Sequence, residues 1–416
     1  MRSEGVAFGL IAARAEEKPA LVAGFALFFL LFSSYFMLRP VRETFGVAGG
    51  VANLPWLFTA TFFATLVVVP IYGWASSRLP RRRLVPICYL ASALVMAAFA
   101  MSLWIDPRDV WVGRVFYVWV SVFNLFVISL AWSLMADVFD AEQSRRLFGP
   151  IAAGASLGGL AGPVMSGFLV GPLGEAGLLS LSTALLLSTL ICVAYLLTWR
   201  DARGPRRDAP ERIGGSIWEG IALILASPYL LAICAYVLLL TAVSTFLYFE
   251  QARIVAETFK DRASQTQAFS AIDAAVQGAT ILIQIVFTAK VARRLGVTAL
   301  LSLVPLLMVA GFFALAAAPT FAVLVAAMFA RRVGEYALVR PGREMLFAPL
   351  DAATKYKAKN VIDSFVYRGG DMISAWLSTA IAALGSLALV ALAGAALAAV
   401  WAGVGAAIGR RYDRGA

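Results

Sequence analysis

The residues of this chain best able to do chemistry are charged side chains set inside stretches apolar enough to cross a bilayer. Each Arg, Asp or Glu near the bilayer centre costs at least about 2.5–3.5 kcal/mol on insertion scales, so such a residue marks a pathway or a partner. They concentrate in four places. The run Tyr35-Phe-Met-Leu-Arg39-Pro40-Val-Arg42-Glu43 closes the first apolar stretch, and Asp273, with Gln277 and Gln284, lies in the eighth. Arg331, Arg332, Glu335, Arg340, Arg343 and Glu344 fall in the tenth, and Asp363, Arg368 and Asp371 in the eleventh. Arginine keeps its charge when partly buried and offers a planar fork that fits carboxylate or phosphate oxygens. Recognition of an anionic group is the chemistry such residues can perform, and carboxylates among them can carry protons.

Residues three or four apart share a helix face, so Arg39 with Glu43, Arg331 with Glu335, Arg340 with Glu344, and Arg368 with Asp371 are expected to neutralise one another. That leaves Arg42, Arg332 and Arg343 without a local acid, and these are the expected ligands of anionic oxygen. Tyr35, Trp56, Tyr336 and Tyr367 are candidates to stack on a planar part of a bound molecule; the competing role is packing or anchoring at the membrane interface. The expected substrate-binding set is Arg39, Arg42, Glu43, Tyr35, Trp56, Arg332, Glu335, Tyr336, Arg343, Tyr367 and Arg368. Asp273, Glu335 and Asp371 are candidate coupling acids, each with the alternative of being an ion-pair partner.

Several classes of function are unsupported. The chain has no His, and no Gly-x-x-x-x-Gly-Lys occurs, so His-based catalysis, His-metal sites and ATP hydrolysis have no residues to carry them. No cofactor or metal is expected. Cys88, Cys192 and Cys234 all fall inside apolar stretches and imply neither a disulfide framework nor a metal cluster. The net charge of +11 does not imply nucleic acid, because it is the placement of the basic residues that carries information.

The elements that must position these residues are transmembrane helices. Of the 416 residues, 61% are hydrophobic and 14% charged, against roughly 25% charged in a soluble domain. Cutting at the charged clusters leaves about twelve runs long enough to cross roughly 30 Å of hydrocarbon. Basic residues cluster in alternate polar segments, at Arg78–Arg83, Arg145-Arg146, Arg200–Arg212, Lys290–Arg294, Lys355–Lys359 and Arg410–Arg414, while only Arg108, Arg253, Lys260 and Arg262 occupy the opposite ones. The positive-inside rule then places both termini in the cytoplasm, and the first run reads as a retained span, not a signal peptide. A multi-pass protein of a bacterial inner membrane is expected.

One internal register keeps returning, at an offset of 211 residues. It lays Arg42 on Arg253, Arg82-Arg83 on Arg293-Arg294, Asp140-Ala141 on Asp351-Ala352, Gly158-Gly159 on Gly369-Gly370, and Arg200 on Arg411. Two six-helix halves in parallel orientation are implied, an all-α polytopic fold like that of the major facilitator superfamily. The expected division is a first bundle over 1–200, a cytoplasmic linker over 201–227 rich in Pro, Gly and Arg at its start, and a second bundle over 228–416.

Two motifs resemble signatures of that superfamily. Gly73-Trp-Ala-Ser-Ser-Arg78-Leu-Pro-Arg81-Arg82-Arg83 resembles its cytoplasmic loop, with Ser77 where an acid is usual. Gly149, Gly158, Gly162-Pro163 and Ser166-Gly167 resemble the glycine-proline signature of its antiporters; small residues at spacing four, Gly154, Gly158 and Gly162, would also let two backbones approach.

A narrower likeness rests on Tyr35-Phe-Met-Leu-Arg39-Pro-Val-Arg42-Glu43, Gly46-Val-Ala-Gly49-Gly50, Asn53-Leu-Pro-Trp56 and Arg145-Arg146-Leu-Phe-Gly-Pro-Ile-Ala-Ala-Gly154. Over about residues 25–165 these resemble the ATP:ADP antiporter family of nucleotide transporters and its bacterial relatives. The resemblance implies nucleotide exchange, with basic residues of the first span near the phosphates. Arg42 stands where members often have lysine and Glu43 where they have aspartate.

The reading that results is a monomeric secondary transporter, not an enzyme, that exchanges an organic anion such as a nucleotide or other phosphorylated solute, with membrane lipids and no nucleic acid as partners. A proton-coupled drug or metabolite exporter is the first alternative. A lipid flippase or non-transporting membrane partner is the second.

Overall fold

The computed structural model describes residues 13–202, 217–286, 288–385 and 387–415, and within them every long element is helical and no strand occurs. The linker stretch 203–216 of the sequence lies outside the described residues, as do the side chains of Ser77, Lys290, Arg293 and Arg294.

Span one is Lys18–Ala48, longer than its apolar run because the helix continues through Pro40. A proline lacks the N–H that would bond the carbonyl four residues back, here that of Phe36, and membrane helices tolerate this; one turn on, the Thr44 hydroxyl donates to the Pro40 carbonyl at 3.1 Å. Spans two to four are Leu54–Arg78, Arg81–Ile105 and Val110–Val138. Spans five and six form one hydrogen-bonded run, Ala141–Asp201, that turns at Gly174, where φ is 65°. After a short helix, Ile217–Ala226, come spans seven (Pro228–Thr258), eight (Arg262–Val286) and nine (Thr288–Ala317). Span ten is built from Phe321–Gly334, a π-helical turn Glu335–Val339 and Arg340–Leu346. Span eleven repeats that construction, with Ala352–Val361, a π turn Ile362–Val366 and Tyr367–Ala383. Span twelve is Leu387–Gly415.

Eight of these helices are long and apolar enough to cross a membrane by composition, the run Ala141–Asp201 among them. Spans ten and eleven are not among them because a π turn divides each into shorter helices. The polar and charged residues singled out above on spans eight, ten and eleven are what make these helices candidates for function.

The 211-residue register has a structural basis at two further levels. Asp140 and Asp351, one register apart, both cap a helix by accepting from the backbone N–H three residues on, that of Gln143 at 2.7 Å and of Thr354 at 2.9 Å. Gly174 and Gly385, also one register apart, both turn the chain at positive φ, 65° and 100°, a conformation only glycine adopts without strain.

The chain divides into two compact units: 1–45 with 67–211 and 261–274, and 46–66 with 212–260 and 275–416. Each therefore contains the end of a helix whose remainder belongs to the other. In the first unit span five lies against span one along a glycine stripe. A Cβ on Gly162 would stand 2.8 Å from the Met37 nitrogen, and those on Gly154 and Gly158 would collide with the carbonyls of Phe25 and Phe29. Ser34 and Ser182 lock spans one and six by reciprocal hydrogen bonds of 2.9 Å to each other's carbonyls. The second unit packs around Tyr236, Phe246, Phe312, Phe347 and Trp401, and its Gly370 meets Thr241 of span seven as the first unit's glycines meet span one. Cys88, Cys192 and Cys234 are free thiols within spans.

Candidate functional site

In the first unit the charges of span one find partners that helix periodicity does not predict. Glu43 pairs with its neighbour Arg42, not with Arg39. Arg42 is further held by the Ser121 hydroxyl at 3.3 Å and lies over the Tyr117 ring at 5.2 Å, both from span four. Arg39 turns to span eight, where Asp273, 4% exposed, approaches its Nε at 3.8 Å. The expected Arg39–Glu43 pair is therefore corrected, and so is the expectation that Arg42 has no local acid. Tyr35 is buried, edge-on to Phe36 with centroids 5.2 Å apart.

Asp273 is the last member of a polar stripe. Arg262, Thr266, Ser270 and Asp273 recur at helical spacing on span eight, and each meets another part of the first unit. Arg262 donates to the Pro107 carbonyl at 2.6 Å and lies 3.8 Å from Glu175. Thr266 shares a 2.7 Å hydrogen bond with Thr44. Ser270 sits where a Cβ on Gly167 would be 3.2 Å away, so the glycine of the antiporter-like motif makes room for it.

In the second unit spans ten and eleven carry the cluster. Arg331 donates to Glu335 at 2.6 Å and Arg368 lies 3.5 Å from Asp371, as the i,i+4 and i,i+3 spacings predict. The Thr245 hydroxyl of span seven also reaches Asp371, at 3.4 Å. Two expectations are corrected. Arg343 has an acid, Asp363 of span eleven, at 3.2 Å, and Glu344 pairs with Lys359 while Arg340 is exposed. Arg331 and Arg332 are 8% and 5% exposed. Tyr367 lies within electrostatic reach of Glu335, Asp371, Arg368 and Arg331, which ties the two helices into one group.

Both π turns fall on this cluster, Glu335 opening the first and Asp363 lying in the second. A π turn places one extra residue in the helix, loosens the backbone ladder and recurs at functional sites. Side chains beyond it are re-aimed relative to those before it, which here separates Arg331, Arg332 and Glu335 from Arg343, and Asp363 from Arg368 and Asp371. The Tyr336 carbonyl accepts from Gln284 of span eight at 3.1 Å. Trp56 is set apart from the charged cluster. It is 62% exposed and meets Trp376 edge-on at 4.9 Å, with Trp376 donating to the Thr59 hydroxyl at 3.0 Å.

At the basic end of the first unit is a site that the sequence pattern did not disclose. Glu17, 1% exposed, accepts two hydrogen bonds from Arg146, at 3.0 and 3.1 Å, one from Gln143 at 3.1 Å and one from the Arg14 backbone N–H at 2.9 Å. Burial alone would raise its pKa; the Arg146 guanidinium and the other donors outweigh that and hold the carboxyl down at about 2. Nearby Arg81 pairs with Asp137, and Arg82 with Asp201 at 3.0 Å. Among the described residues no group of acids, thiols or imidazoles could hold a metal ion.

Residues 20–342 match the sequence pattern of the Major Facilitator Superfamily. Two solved structures are similar over nearly the whole chain. One is a bacterial homologue of the human lysosomal transporter Spinster in an inward-facing, unoccupied conformation, with TM-score 0.66 and 15% identity over 97% of this chain and 99% of that one. The other is the nucleoside transporter NupG, with TM-score 0.61 and 15% identity over 95% and 99%. No curated protein sequence matches the chain.

Proposed function

Since the chain belongs to the major facilitator superfamily and is a transporter of a small-molecule solute, not an enzyme, we propose that the solute is an organic anion recognised by guanidinium groups of spans ten and eleven. The observation that carries this reading is a concentration of guanidinium groups held away from bulk water. Among the described residues of the second unit, buried or half-buried Arg331, Arg343 and Arg368 meet the carboxylates of Glu335, Asp363 and Asp371, and Arg332, 5% exposed, stands beside Arg331. Guanidinium groups in such surroundings attract an anion more strongly than they would in water. Phosphorylated solutes, nucleotides included, belong to the class that such planar forks suit.

The first unit argues for the coupling. Arg39 and Arg42 are balanced there by Asp273 and Glu43, so protonation of Asp273 would upset a neutral set and change the seam between span eight and span one. The same balance favours a second reading, proton-coupled export of a neutral or cationic solute.

Thermal melting of the purified protein against nucleotides, sugar phosphates, carboxylates, neutral nucleosides and organic cations separates the two. A ligand at 100 times its Kd stabilises the folded state by about 2.7 kcal/mol. The anion reading expects one anion class to raise Tm in the wild type and not in Arg332→Gln. Stabilisation by a neutral or cationic solute alone, undiminished in Arg332→Gln, contradicts it.

A further inference from the structure

Span twelve ends in a basic cavity that neither the transport reading nor the superfamily match uses. Its volume is about 380 Å3, and Gly403, Ala407, Arg410, Arg411 and Arg414 line it. Gly403, Ala407, Arg410 and Arg414 follow one another at intervals of three or four residues, so they share one helix face, and all are exposed. The glycines of the other face are accounted for by packing: a Cβ on Gly405 would stand 2.7 Å from the Leu301 carbonyl, and one on Gly409 would collide with Thr298. A Cβ on Gly403 would meet nothing within 4 Å. Its smallness serves no contact within the protein and leaves a shallow channel below the arginines.

The arginines are not spent on carboxylates. Among the described residues none pairs with Arg410, Arg411 or Arg414, and the acid closest in sequence, Asp413, is turned the other way. Its carboxylate accepts from the backbone N–H groups of Val297 and Thr298 at 2.9 and 3.0 Å and from the Thr298 hydroxyl at 2.6 Å. Arg411 is steered by the Tyr229 ring, 5.8 Å from its guanidinium carbon. Three planar forks thus gather at a membrane-helix end, above an apolar channel that faces away from the bundle.

We propose that this cavity binds an anionic phospholipid. The phosphate lies among Arg410, Arg411 and Arg414, and one acyl chain runs down the face left open by Ala407 and Gly403. Basic pockets at the ends of membrane helices recognise such headgroups, and the fork geometry of arginine suits a phosphate oxygen pair. From Arg414 to Gly403 the helix rises roughly 16 Å at about 1.5 Å per residue, a span that matches a headgroup followed by much of an acyl chain. A soluble phosphate would use the arginines and have no need of the channel.

Native mass spectrometry of the full chain, released from micelles doped with phosphatidylglycerol or phosphatidylcholine, tests the proposal. It predicts retained phosphatidylglycerol adducts and few of phosphatidylcholine. Retention should fall roughly fivefold for each arginine changed to glutamine, and Ala407→Leu, which fills the channel and keeps every charge, should also lower it. Equal retention of the two lipids, or undiminished retention in the triple Arg→Gln variant, overturns it. So does protection by inorganic phosphate that equals that by lipid and is indifferent to Ala407→Leu, since that outcome marks a site for a free anion. The substituted side chains are exposed, and an unchanged melting curve in lipid-free detergent separates lost binding from lost folding.

Discussion

Asp273 and Arg39 lie more than two hundred residues apart in sequence, yet the carboxylate of the one approaches the guanidinium of the other at 3.8 Å, with Asp273 4% exposed. The contact ends the stripe that begins at Arg262, so a change of charge at Asp273 acts on a seam that includes the Thr44–Thr266 hydrogen bond. A protonated carboxyl no longer attracts Arg39, and the seam then rests on the Thr44–Thr266 hydrogen bond and the contacts of Arg262.

Asp273→Asn should abolish the response of transport to an imposed pH gradient and reduce uptake at least about a hundredfold, the lower end of what a proton-transfer group commonly contributes. A double-mutant cycle with Arg39→Gln, followed by thermal unfolding, should give a coupling energy of about 0.5–3 kcal/mol. A cycle that closes at zero would mean that the two groups do not act as a pair.

Glycine substitutions should split by environment. Gly158→Ala places a methyl group into the Phe29 carbonyl and should cost at least about 1–3 kcal/mol, as overpacking does. Gly73→Ala lies in the interior of span two with nothing within 4 Å and should stabilise by up to about 1 kcal/mol through helix propensity. Tm values of the two variants in one detergent provide the comparison.

Removing one residue from the first π turn, for instance Ala337, should restore regular helix and rotate Arg343 away from Asp363. The expected variant is folded, with helical circular dichroism unchanged, and inactive in transport. Retained transport would show that the turn is not needed to aim these side chains.

Much of the fold was legible because membrane helices announce themselves by length and apolarity, and because the 211-residue register repeats capping and turn residues whose chemistry is local. Asp140 and Asp351, matched by that register, prove to cap equivalent helices, and Gly154, Gly158 and Gly162 mark a close helix contact. Ion pairing was legible only within a helix. Arg331–Glu335 and Arg368–Asp371 follow from spacing, whereas Arg39–Asp273, Arg343–Asp363 and Lys359–Glu344 join residues brought near by tertiary packing. Glu43 belongs to Arg42 because the neighbouring guanidinium is aimed by Ser121 and Tyr117 of another span. The π turns were hidden for a related reason: they depend on how the whole helix is packed, and no residue type encodes them.

Glu17 should confer a pH-dependent part of the stability. Its carboxyl is held at about 2 against an ordinary 4.5, so the folded state favours the ionised form. The contribution is complete above pH 4.5 and declines as pH falls towards 2. The Tm difference between wild type and Glu17→Gln should therefore be constant above about pH 5.5 and shrink on acidification below 4.5. A difference that does not change between pH 6 and pH 3 would contradict the Arg146–Glu17 account.

Uptake into proteoliposomes under an imposed pH gradient tests the anion-carrier account most directly, with radiolabelled organic anions, a neutral nucleoside and an organic cation offered to wild type, Arg332→Gln and Asp273→Asn. The account predicts gradient-driven uptake of an anion by the wild type, its loss in Arg332→Gln, and gradient-independent residual uptake in Asp273→Asn. Transport of the nucleoside or the cation alone, with Arg332→Gln as active as the wild type, would contradict it.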